Sequence, residues 1–62
     1  MEIHERRIQV MTSGDWTLEV ASGMRILMYK GRRIGHPNPT VSTEDLSNLL
    51  YMLNEARERG WV

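Results

Sequence analysis

The chain has no cysteine. A disulfide framework and a thiolate zinc site are thereby excluded, and a core this small must rest on packing or on a second copy. Its two prolines both fall between His36 and Thr40. No apolar run is long enough to span a membrane, and MEIHERRI at the start lacks the apolar stretch of a secretory signal, so the expected setting is cytoplasmic with no membrane partner. Net charge is also missing: eight basic side chains balance eight acidic ones. That balance argues against a dedicated nucleic-acid coat, because phosphate binding rests on positive charge. The balance is uneven along the chain. Between Met24 and His36 stand Arg25, Lys30, Arg32 and Arg33 with no acid among them.

Chemical motifs are absent as well. His4 and His36 are the only imidazoles, and His4-Glu5 lacks the helical spacing of a zinc hydrolase. The glycines do not space as a phosphate loop. Ser13, Ser22, Ser42 and Ser47 have no base beside them, and Glu44-Asp45 reads as a pair at a helix start, where the dipole favours acids. Sixty-two residues leave little room for a water-excluding pocket. The expectation is a non-enzymatic chain with no catalytic residue, metal, cofactor or small-molecule substrate.

What is present organises around Ser42–Gly60. Leu46, Leu49, Leu50, Leu53 and Ala56 recur at spacings of three and four, an apolar helical stripe. Ser42 is an N-cap, with Asp45 three residues on and Val41 and Leu46 placed as a hydrophobic staple. Arg57 and Arg59 suit the negative end of the dipole. Gly60 is a left-handed stop, after which a Schellman turn would fold Trp61 back onto Ala56. The helix is expected over about 43–59. Tyr51 and Met52 lie off the leucine stripe.

Ahead of it the apolar residues alternate as in strands, expected at about 5–11, 15–21, 24–30 and 32–35. Thr12-Ser13-Gly14 reads as a three-residue hairpin loop. It places Val10 opposite Trp16, Ile8 opposite Leu18 and Arg7 opposite Glu19. A two-residue loop at Ser13-Gly14 would put Ile8 and Val10 on the other face from Trp16 and split the core, so the first register is preferred. Ser22-Gly23 and Lys30-Gly31 read as tight turns. They set Leu18 beside Leu27, Trp16 beside Tyr29 and Leu27 beside Ile34. The segment 36–41, with Pro37 and Pro39, is a stiff connector. The fold class is α+β: one domain, 1–62, with an antiparallel meander of three to four strands and a C-terminal helix on one face. The inner face is expected to hold Ile8, Val10, Trp16, Leu18, Val20, Leu27, Tyr29 and Ile34.

The third strand is apolar on both sides. Met24, Ile26 and Met28 face away from the helix, joined by Met11 and Ala21, with Arg7, Glu19, Lys30 and Arg33 around them. One helix covers one face, and an apolar patch rimmed by charge marks an interface unless Met1 or Ile3 folds over it. The expected function is a small protein-interaction module, of the kind suited to a bacterial or phage regulator or inhibitor. It acts through Met24, Ile26, Met28, Met11, Arg7, Lys30 and Arg33, on a second copy (a dimer) or a protein target. Tyr51, Met52 and Trp61 form a second candidate patch. The alternative is a nucleic-acid regulator. A three-stranded meander followed by one helix, with Gly14-Asp15-Trp16 opening a strand and Gly31-Arg32-Arg33 near the end, resembles AP2-type and integrase arm-binding domains in topology only. That resemblance implies a sheet face in the major groove, with Arg7, Lys30, Arg32 and Arg33 as the cations.

Overall fold

The computed structural model describes residues 1–34 and 40–62. Five strands, β1 (Glu2–Glu5), β2 (Gln9–Ser13), β3 (Trp16–Ala21), β4 (Met24–Tyr29) and β5 (Arg32–Arg33), precede one helix, α1 (Thr43–Glu58). The strands form one antiparallel sheet in the order β1-β2-β3-β4-β5. The fold is therefore the α+β meander with a C-terminal helix packed on the sheet. Gly35 and the connector residues His36–Pro39 lie outside the described residues.

Two turns form where the glycine pairs require them. Ser22 and Gly23 have φ of 50° and 77°, and Lys30 and Gly31 have 53° and 79°. Positive φ at both central residues is the type I′ geometry that matches strand twist. The first turn fixes Leu18 opposite Leu27 and Trp16 opposite Tyr29. Past the second turn, the Ile34 amide donates to the Leu27 carbonyl at 3.1 Å, which sets Ile34 beside Leu27.

The first hairpin departs from the expected register. Its turn is Gly14-Asp15, with Gly14 at φ 58°, and it pairs Ser13 with Trp16 and Met11 with Leu18. This is a slip of three residues from the register read in the sequence. An odd slip turns every side chain of the strand over. Met11, expected on the outer face, is completely buried. Val10 pairs with Glu19 instead, and Ile8 lies outside the strands, half exposed at 49%. Arg7 is no longer a partner of Glu19.

What makes this register favourable is a second hairpin at the start of the chain. Arg6-Arg7-Ile8 is a loop between Glu5 and Gln9, which pair. It brings Ile3 opposite Met11, and Ile3 packs against the core. The expected strand over 5–11 is thus two strands, and the N-terminus is an edge strand that does not fold over the outer face.

The helix packs against β2 and β3. The Ser42 hydroxyl accepts from the Asp45 amide at 3.1 Å, the N-cap read in the sequence. The far end is a Schellman turn: the Trp61 amide bonds the Ala56 carbonyl at 2.8 Å, the Gly60 amide bonds that of Arg57 at 3.1 Å, and Gly60 has φ 79°. The core is Met11, Trp16, Leu18, Tyr29, Met52, Ala56 and Trp61, with Ile3, Val20, Leu27, Val41 and Leu49 against it.

The helix is rolled away from its leucine stripe. Leu46 and Leu50 remain 45% and 62% exposed, while Met52 and Ala56 face the sheet. Polar anchors explain the roll. The Trp16 indole Nε1–H donates to the Asp45 carbonyl at 2.7 Å, and the Tyr29 hydroxyl donates to the Asp45 carboxylate. At the other end, Arg59 donates to Glu5 of β1 at 3.0 Å and to Glu55 at 2.9 Å. These bonds hold Asp45 and Arg59 against the sheet. With about 100° between successive residues, the inward line is then Asp45, Asn48/Leu49, Met52 and Ala56.

Candidate interaction surfaces

Alternation along the strands decides what the outer face carries. Since Trp16, Leu18 and Tyr29 lie under the helix, Thr17, Glu19, Ala21, Met24, Ile26 and Met28 point the other way. The register aligns them in rows: Thr12, Thr17, Met28 and Arg33; His4, Val10, Glu19 and Ile26; Ala21 and Met24. Met24 is 62% exposed, and Val10, Ala21, Ile26 and Met28 are half-buried. The apolar face expected from the third strand therefore exists with a changed membership: Met11 leaves it and Val10 joins it. Glu19 stands near its centre, and Arg33, His4 and Glu2 stand toward its sides.

The second candidate patch is broken up by the structure. Tyr51 is 61% exposed, but Met52 is fully buried and Trp61 is 4% exposed. Met52 fills the core because of the helix roll. The Schellman turn returns Trp61 to the sheet, where its carbonyl accepts from the Arg25 guanidinium. Neither side chain can serve as a contact surface without unfolding the core.

The basic residues divide between the two ends of the sheet. Lys30, Arg32, Arg33, Tyr29 and Ile34 line an open concavity of about 270 Å³. Lys30 Nζ lies 5.3 Å from the centre of the Tyr29 ring, within cation–π range. Arg33 pairs with Met28 and so shares the outer face, whereas Arg32 pairs with Tyr29 on the helix side. Arg7 is in the β1–β2 loop, at the end of the sheet opposite the Lys30 turn. The four cations of the nucleic-acid reading do not form one stripe.

The edges are poor templates for strand addition. β1 carries Glu2 and Glu5, and β5 is two arginines long. Short, like-charged edges repel a second copy of themselves.

Asp45 and Tyr29 perturb one another on the helix side. Its carboxyl is lowered from its ordinary value, first by the Tyr29 hydrogen bond and then by Ser42 and the Lys30 charge, against the opposing effect of burial. Tyr29 is pushed up to about 12 by the same hydrogen bond, by burial and by the charges of Asp45 and Asp15. The pair sits between α1 and β4 and locks the helix, which is a structural role. Among the described residues no three His, Asp or Glu side chains converge as a metal would need, and no helix is long and apolar enough to cross a membrane. No protein-family model, curated protein or solved structure matches this chain.

Proposed function

We propose that this chain is a non-enzymatic protein-contact module that works through the helix-free face of its sheet. One observation supports it above the others. Met24, Ile26 and Met28 run along β4 on a face that neither the helix nor the N-terminal strand covers, with Val10 and Ala21 beside them. Methionine adapts to irregular partners, and a contiguous apolar patch of this kind marks a contact surface. Apolar burial supplies the affinity, and Arg33 and Glu19 set the orientation. A regulatory or inhibitory role for so small a chain follows from blocking or bridging a partner, since no group among the described residues is arranged for chemistry.

Ile26→Glu tests the surface. The variant is expected to keep its circular dichroism spectrum and a cooperative thermal transition, at a lower midpoint, while losing association, read as solution mass. Association that survives Ile26→Glu would overturn the assignment of this face. Tight binding of a generic DNA duplex that collapses with added salt would favour the nucleic-acid reading, for which the concavity lined by Lys30, Arg32 and Arg33 is the supporting feature.

A further inference from the structure

Resting on that reading, we infer that the occupant of the helix-free face is a second copy of this chain, packed sheet on sheet about a twofold axis that runs along β4. Charge complementarity across the face favours this occupant. Two charged side chains of opposite sign flank β4 on this face. Glu19 on β3 is level with Ile26, and Arg33 on β5 is level with Met28. A twofold axis along β4 lays the β3 side of one copy over the β5 side of the other. Met24, Ile26 and Met28 then stack on their own counterparts, and Glu19 of each copy approaches Arg33 of the other.

The distances allow it. Facing sheets pack about 10 Å apart, neighbouring strands are about 4.8 Å apart, and two residues along a strand span about 7 Å. Glu19 and the second copy's Arg33 are therefore separated mainly by the sheet spacing and one two-residue step, which a glutamate and an arginine together bridge. The pair forms twice, once on each side of the methionine row. The neighbouring axis can be rejected on the same grounds. A twofold along β3 would stack Glu19 on its own copy at the centre of an apolar contact, leaving two like charges without water or partner. Twofold edge-to-edge pairing, β1 on β1 or β5 on β5, is disfavoured by the like charges on each edge. A twofold arrangement through the face is closed and yields a dimer and not a filament.

Charge swaps test the axis directly. Glu19→Arg should set the introduced guanidinium against Arg33 of the other copy, and Arg33→Glu should set two glutamates together. Each variant alone is expected to dimerise roughly a hundredfold more weakly, because like charges across an interface cost several kcal/mol. Mixed one to one, the two variants regain both attractive pairs, one chain carrying two arginines and its partner two glutamates. The expected result is a heterodimer, resolved by native mass spectrometry, at close to the unmodified affinity. Circular dichroism confirms that each variant is folded, and Met24→Asp replaces Ile26→Glu as the apolar control if the latter unfolds. The failures are separable. An unmodified chain that stays monomeric at every concentration overturns the second-copy inference and leaves a foreign protein as the partner of the face. A dimer broken by Ile26→Glu or Met24→Asp but not rebuilt by mixing overturns the β4 axis alone. A dimer indifferent to the apolar variants overturns the face itself, and with it the proposed function.

Discussion

At the scale of single residues the structure turns on Met11, Gly14 and Asp45. Met11 is completely buried opposite Leu18, while Ile8, just ahead of the same strand, is half exposed. Met11→Ala should cost about 2–5 kcal/mol, the usual range for emptying a core site, and Ile8→Ala should change stability by about 0.5 kcal/mol or less. Urea unfolding of the two variants distinguishes this register from the one in which Ile8 faces Leu18. Gly14 lies under the helix. A Cβ there would sit 2.6 Å from the Asn48 amide nitrogen, on a backbone with φ 58°. Gly14→Ala is expected to destabilise by about 1–2 kcal/mol from the left-handed backbone alone, and adding Asn48→Ala should recover only the crowding part. The Tyr29–Asp45 bond gives the fold two pH limits. Tyr29 keeps its proton up to about 12 when folded, against 10.0 ordinarily. Its contribution is whole below about pH 10 and is lost as pH rises toward 12. Asp45 is lowered from 3.8, so its contribution is whole above that value and is lost as pH falls below it. Tyr29→Phe should remove the alkaline loss and return the Asp45 carboxyl toward its ordinary value, measured by NMR titration.

At the scale of elements, what can be read in the sequence is what has a local cause. Ser22-Gly23 and Lys30-Gly31 announce two-residue turns, and these fix the pairing of β3 with β4 and of β4 with β5. Ser42 and Gly60 announce the helix ends by capping chemistry. What cannot be read depends on contacts distant in sequence. Glu5–Gln9 contains no glycine, proline or asparagine to mark the β1–β2 loop, so two strands read as one. The leucine stripe misleads about the helix face because leucines outnumber the residues that decide it. Asp45 looks like a capping partner alone, and only the fold brings Trp16 and Tyr29 to it. The outer sheet face is partly legible: the β4 residues fall where the pattern puts them because their turns are local, and Met11 is misplaced together with its hairpin. The turns offer a prediction of their own. Ser22 holds φ 50°, where asparagine is better tolerated. Ser22→Asn should stabilise the chain by about 0.5 kcal/mol, visible as a higher unfolding midpoint with no change in oligomeric state.

At the scale of the molecule, one helix serves a five-stranded sheet. Its Met52 and Ala56, with Trp61 from the turn that follows, close one face and leave the other bearing Val10, Met24, Ile26 and Met28. A 62-residue chain buries a smaller share of its surface than a larger domain does, and joining two outer faces would bury what the monomer leaves in water. Stability and assembly are then linked, so the thermal midpoint should rise with protein concentration. The most direct test is the solution mass by light scattering across a hundredfold dilution, at low and high salt. Twice the 7.2 kDa chain mass is expected, retained in high salt because the contact is mainly apolar and yielding to the single-chain mass only on dilution. A single-chain mass at every concentration and salt would contradict it.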